Sequence, residues 1–232
     1  MHWFYDPAVT EESRNISTTE LAHFKALRIR TGDQIVVTNG LGVSHLAEVV
    51  NAISGEIRSL EKDIEPIPLV SIHLVQALAK GGRDEAAVQT ACELGVASIT
   101  PFQAKRSIVE WGAKADRNRE RWNQIAISAI KQSQQSYLPE VRSLATDKQL
   151  VGQGQNLVLD PRAETSLSEL ELQEVVTLVV GPEGGLDASE LATLADSGFQ
   201  SVKLGKSVLR TSSAGPAAIA AIQALSGSWN RS

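Results

Sequence analysis

The stretch VVTLVVGPEGGLDASE, residues 175–190, decides the fold: an apolar run breaks into a Gly/Pro turn and restarts as a helix. The β-branched run ahead of Gly181 predicts a strand buried on both faces. Asp187 followed by Glu190 predicts a helix N-cap with its capping-box partner. The loop Gly181, Pro182, Glu183, Gly184, Gly185 therefore sits at the carboxyl end of a strand, where open α/β sheets bind ligands. Its glycines let the backbone approach a ligand with no Cβ in the way.

Outward from this stretch, residues 69 onward alternate between strand and helix. Strands are expected at 70–77, at 97–100 where Pro101 stops the run, near Val141, and at 156–159 and 201–204. Helices are expected at 85–94 after the turn Lys80-Gly81-Gly82-Arg83-Asp84, at 116–134, and at 214–225 with Pro216 harmless in its first turn. Such alternation predicts an α/β domain with a mostly parallel sheet covered on both faces. Two further loops follow strands: Leu159, Asp160, Pro161, Arg162, and the run LGKSVLRT at 204–211. If their strands are parallel neighbours of 175–180, the three loops line one pocket.

Residues 1–67 read differently. Short apolar stretches at 34–38, 44–50 and 56–60 are separated by Thr31-Gly32-Asp33, Asn39-Gly40 and Ser54-Gly55, the spacing of a small all-β module with hairpins. A helix at 18–27 interrupts them and carries His23 and Lys25, with Arg28 and Arg30 just beyond. These cations suit either a phosphate backbone or the helix C-terminus. Glu65-Pro66-Ile67-Pro68 reads as a linker and places a domain boundary near residue 68.

The 232 residues carry a net charge of −5 and one cysteine, Cys92, so no disulfide framework or thiolate metal cluster is expected, which suits a reducing cytosol. No leader opens the chain, and no apolar run approaches the roughly 18 residues of a membrane span. Basic and acidic residues number 6 and 10 over 1–79, 10 and 7 over 80–142, and 6 and 10 over 143–232. Only the middle is basic, fitting either a solvated helix face or a local RNA-binding surface. The glycine loop lacks the Gly-Lys-Ser/Thr ending of a P-loop, and no G-x-G-x-x-G opens a helix after the first strand. A ligand gripped by backbone amides and apolar side chains, such as an adenosine group, fits better.

ELGV followed by ITPF and KRS, RW-x-x-IA-x-x-A-x-x-QS-x-x-x-x-LPEV, GPEGG after an apolar strand, and LGKSVLRT before a small-residue helix occur in this order. Together with LAHFKALRIRTGD and NGLG near the N-terminus, they make nearly the whole chain resemble the RsmE family. These are SPOUT-class methyltransferases acting on N3 of a uridine in 16S ribosomal RNA of the small subunit. The resemblance implies a SPOUT-type parallel sheet with a C-terminal trefoil knot over residues 68–232, plus a small N-terminal PUA-like β-barrel over 1–67. It also implies S-adenosylmethionine as cofactor, a cytoplasmic homodimer, and no membrane partner. Carried onto this chain, the cofactor residues are Leu159, Asp160 and Pro161; Gly181, Pro182, Glu183, Gly184 and Gly185; and Leu204, Gly205, Val208 and Leu209.

The sulfonium of such a donor is already activated, so the enzyme must align a nitrogen nucleophile, exclude water, and manage the N3 proton. Arg210 is the first candidate for a cation stabilising the uridinate, and Arg106 the second, with Glu93, Glu183 and Gln132 as polar candidates. No residue stands out as the base. Lys80, Arg83, Lys105 and the barrel residues His23, Arg28 and Arg30 are expected to grip RNA flanking an unstacked base. Thr90, Lys131 and Gln135 depart from the family pattern and put any role of those positions in doubt. Two other readings stay open on the sequence: a SPOUT enzyme acting on another RNA site, and a silent RNA-binding relative.

Overall fold

The computed structural model describes residues 1–230; residues 231 and 232 lie outside the described part. The chain divides into two compact units, Met1–Ile67 with Ile127–Leu138, and Pro68–Ala126 with Pro139–Ser232. No helix among the described residues is long and apolar enough to cross a membrane.

In the first unit, strands β1 (His2–Tyr5), β2 (Gln34–Thr38), β3 (Val43–Asn51) and β4 (Glu56–Ile64) form one sheet in that order. The pairs β2–β3 and β3–β4 are antiparallel hairpins, whereas β1 runs parallel to β2. Asn39 makes the first hairpin turn as its residue type predicts: its Oδ1 accepts from the backbone N–H of Leu41 at 2.7 Å. Helix α1 (Thr18–Leu27) buries Phe24 edge-on against Phe4, with ring centroids 5.0 Å apart, over a core that includes Ile35, Val37, Val49 and Ile57. Residues 127–138 are stitched to this unit by Glu65, whose carboxylate accepts from the Ser136 amide at 3.0 Å and from the Ser136 hydroxyl.

The second unit holds β5 (Ser71–Ala77), β6 (Ser98–Phe102), β7 (Glu140–Val141), β8 (Gln155–Leu159), β9 (Val175–Val180) and β10 (Gln200–Val202). They form one sheet in the order β10-β8-β9-β5-β6-β7, with every pair parallel. Its helices are α2 (Arg83–Glu93), α3 (Ala115–Ser133, whose last turns group with the first unit), α4 (Ala188–Asp196) and α5 (Thr211–Leu225). One sheet face packs Val75, Phe102, Val158 and Val179 against Leu186, Leu194 and Phe199; α2 and α5 pack together against β5. The central strand β9 is thereby buried on both faces, as the run of six residues before Gly181 requires.

Two expectations are corrected. β6 runs through Pro101 to Phe102. Pro101 keeps its carbonyl engaged by the Ala145 amide at 2.9 Å, and its missing N–H falls beyond the short edge strand β7, where no ladder bond is lost. Helix α5 starts at Thr211 rather than 214, because Arg210 holds the extended N-cap conformation (φ −66°, ψ 152°). Pro216 is therefore in the second turn, where it removes the bond otherwise made to Ser212.

Candidate active site

Three loops leave the carboxyl ends of the adjacent strands β10, β8 and β9 and enclose a cavity of about 620 Å³. Its apolar walls come from Val180, Leu186, Leu191, Val202, Leu204, Val208 and Leu209. All twelve residues assigned to the cofactor by resemblance line it: Leu159, Asp160, Pro161, Gly181, Pro182, Glu183, Gly184, Gly185, Leu204, Gly205, Val208 and Leu209. Arg83, Arg106 and Arg210 line it as well.

The glycine loop is built as the residue types dictate. Gly185 has φ +68°, which only glycine adopts without strain, and its amide closes the turn to the Pro182 carbonyl at 2.9 Å. A Cβ on Gly181 would lie 3.1 Å from Leu186 Cγ, and one on Gly184 would lie 3.3 Å from Arg106 Cβ, so a side chain at either position would press on its neighbour. Asp187 caps α4: its Oδ1 accepts from the Ser189 amide at 3.0 Å, and the Glu190 carboxylate returns to the Asp187 amide at 2.8 Å. The second oxygen of buried Glu190 accepts from the Lys105 amide at 2.7 Å, tying the loop after β6 to the glycine loop.

Charges around the cavity are largely paired. Arg83 Nη1 donates to Glu183 at 3.0 Å. Burial pushes the Glu183 carboxyl up, but its loop amide and Arg83 outweigh burial and hold it below the ordinary carboxylate value. Arg106 donates to the Gly184 carbonyl at 3.1 Å and to Asp187 at 3.3 Å. Hydrogen bonds from the Ser189 side chain and backbone, aided by Arg106 and Lys105, hold the Asp187 carboxyl low. Arg162, absent from the sequence assignments, binds Asp160 through Nε at 3.0 Å and Nη2 at 3.1 Å. Burial raises the Asp160 carboxyl, yet these bonds bring it net below its usual range. Arg210 is different: its side chain is exposed and has no hydrogen-bond or ion-pair partner among the described residues.

Other candidates lie elsewhere. Glu93 ends α2, ten residues and about 15 Å of helix from Arg83, and accepts from Gln89 at 2.9 Å. It is outside the cavity lining. Lys105 donates its Nζ to Ser189 at 2.5 Å, and Lys80 is exposed in the turn ahead of α2. Gln132 is exposed in the part of α3 that belongs to the first unit. In that unit, His23 Nδ1 lies 2.9 Å from buried Glu20, which also accepts from Lys131 at 2.8 Å. Arg28 is the left-handed C-cap of α1 (φ 57°), and both Arg28 and Arg30 are exposed. Gln76 and Thr211, which brace the glycine loop, were missed as site residues; the only signal for Gln76 is one amide inside the apolar run LVQALA.

The cavity volume is that of a small-molecule site. The backbone amides and carbonyls of residues 204–209 make no hydrogen bond within the described protein. Apolar walls, glycines packed against their neighbours and a run of open peptide groups fit an adenosine-bearing ligand. Among the described residues no group of three or more His, Cys, Asp or Glu is arranged to hold a metal ion.

A parallel sheet with a ligand cavity at its carboxyl edge is here the architecture of an RNA methyltransferase, and the chain matches the RNA methyltransferase domain over residues 65–223. A ribosomal RNA small subunit methyltransferase E of Mycobacterium bovis is 34% identical over 218 residues, spanning 88% of this chain and 83% of that protein. The chain belongs to the ribosomal RNA small subunit methyltransferase E family. A crystal structure of the Neisseria gonorrhoeae family member bound to S-adenosyl methionine superposes with a TM-score of 0.88 at 30% identity, covering 97% of this chain and 98% of that one. A Legionella pneumophila protein described as a methyltransferase, in complex with bound SAM, gives 0.87 at 28% identity and 96% coverage of each chain.

Proposed function

We propose that the protein is an S-adenosylmethionine-dependent methyltransferase that methylates N3 of a specific uridine in 16S ribosomal RNA. The observation carrying this reading is the cavity at the carboxyl ends of β8, β9 and β10, in a chain so similar to a relative crystallised with S-adenosyl methionine. The three loops around it would be those of a C-terminal trefoil knot, an exception to the usual avoidance of knots. Residues 1–67 would form a PUA-like barrel holding RNA and residues 68–232 the methyltransferase domain, acting as a homodimer in the cytoplasm.

Bound in the cavity, S-adenosylmethionine supplies an activated methyl group on a sulfonium. The open peptide groups of residues 204–209 and the glycine loop orient the donor, while the buried Val180, Leu186 and Val202 keep water from the cavity floor. Arg106 and Arg83 are committed to the glycine loop and to Glu183, so they hold the loop in place. Arg210, with its charge uncompensated at the cavity wall, is the group that stabilises the oxygens of the uridinate, the form in which N3 has given its proton to solvent. Lys80, Lys105, His23, Arg28 and Arg30 contact the RNA backbone. Titration calorimetry with S-adenosylmethionine tests the donor site: saturable binding supports the reading, and no binding at millimolar ligand rejects it.

A further inference from the structure

Gln76 stands at the carboxyl end of β5, fully buried between Val180 of β9 and Pro101 of β6. Its Nε2 donates to the Ala77 carbonyl at 3.1 Å and to Thr211 Oγ1 at 3.0 Å. A carboxamide N–H can only donate, so the Thr211 oxygen must accept and its single proton is free for the Gly181 carbonyl, 2.9 Å away. The chain of bonds thus runs one way, from the middle of the sheet to the first residue of the glycine loop. Gln76 Oε1 is left with no hydrogen-bond partner among the described residues and faces Gly215, where a Cβ would lie 3.4 Å from it. A buried acceptor without a partner is unfavourable, and a leucine would fill this site without that cost. The arrangement is therefore poorly explained as packing alone.

What it does achieve is placement. Thr211 is the first residue of α5, and Arg210 directly before it is the N-cap. One hydroxyl therefore ties the glycine loop to the residue that directly follows Arg210 and its free guanidinium. We infer that Gln76, acting through Thr211, is a positioning residue that fixes the Gly181 carbonyl and the backbone of Arg210 relative to each other. Gln76 contacts neither donor nor RNA; it acts by holding the two groups that do. This inference rests on the methyltransferase reading and on the role given to Arg210.

The test is turnover and S-adenosylmethionine affinity for wild type, Thr211→Val, Thr211→Ser and Gln76→Leu, each also in an Arg210→Ala background. Thr211→Val keeps the shape and removes the hydroxyl, and kcat is expected to fall about ten-fold, the equivalent of one net hydrogen bond. Thr211→Ser restores most of that loss, because the relay needs only the oxygen and its proton. Gln76→Leu reproduces the Thr211→Val loss, and the two together cost no more than either alone. With Arg210 already replaced, Thr211→Val costs less than about two-fold further. Equal kcat for the Val and Ser variants overturns the inference, as does a Thr211→Val penalty that is the same with and without Arg210. Should Thr211→Val fail to fold, Gln76→Leu in the two Arg210 backgrounds decides in the same way. Absence of wild-type turnover would instead overturn the methyltransferase reading, and this inference with it.

Discussion

Replacing Glu190 should loosen two walls of the cavity at once. Its carboxylate is buried, with one oxygen accepting from the Asp187 amide at 2.8 Å and the other from the Lys105 amide at 2.7 Å. The first bond closes the capping box of α4, and the second pins the loop that carries Arg106 to the end of the glycine loop. Hydrogen bonds to a charged acceptor contribute about 1.5–3 kcal/mol each, so Glu190→Ala should lower stability by about 3–5 kcal/mol. For a domain of this size, 1 kcal/mol moves Tm by about 2–4 °C, and the expected fall is about 10 °C. Glu190→Gln keeps one acceptor but turns an NH₂ toward the other amide, and should lose about half as much. Urea denaturation followed by circular dichroism gives the stabilities, and calorimetry of the same samples gives donor affinity, which should weaken together with stability. A Glu190→Ala protein within about 1 kcal/mol of wild type would refute the reasoning, because two backbone donors held by a buried carboxylate would then have lost their acceptor at no cost.

Arg210→Ala should reduce turnover by about 100-fold, the loss typical of one preorganised donor, with donor affinity measured by calorimetry changed little. Gly181→Ala places a methyl 3.1 Å from Leu186 Cγ and should weaken S-adenosylmethionine binding, which the same titration detects. Cys92 is fully buried, and burial pushes its thiol up to about 12, so iodoacetamide at pH 8 should modify it only after unfolding. The Asp160 carboxyl is depressed in the fold, because the bonds from Arg162 outweigh burial. A depressed carboxylate contributes stability above its unfolded pKa and loses it as pH falls through the folded one. The difference in Tm between wild type and Asp160→Asn should therefore be full above pH of about 4 and vanish in stronger acid.

Local signals carried much of the fold. The run ahead of Gly181, the Asp187 cap and its Glu190 partner are interactions within a few residues, and sequence alone specifies them. The helix at 18–27 and the strand at 34–38 have the expected bounds for the same reason. Strand β1 escaped notice because four residues paired to a partner more than thirty positions away carry no periodicity of their own. Pro101 inside β6 was misread because only the tertiary placement of β7 shows that no ladder bond is lost. The glycine loop was legible as a ligand loop, whereas the partner of its one charged residue was not: Arg83 lies 100 positions from Glu183. Gln76 and Thr211, 135 positions apart, show the same limit. Which residues line a cavity depends on strand order, and β10-β8-β9 is not the order of the chain.

The central claim is tested most directly by mapping N3-methyluridine in 16S ribosomal RNA from a strain lacking this protein and from the same strain complemented with it. Loss of one N3-methyluridine on deletion, restored by the wild-type chain but not by Arg210→Ala, is the predicted result. An unchanged complement of N3-methyluridine in the deletion strain would contradict it.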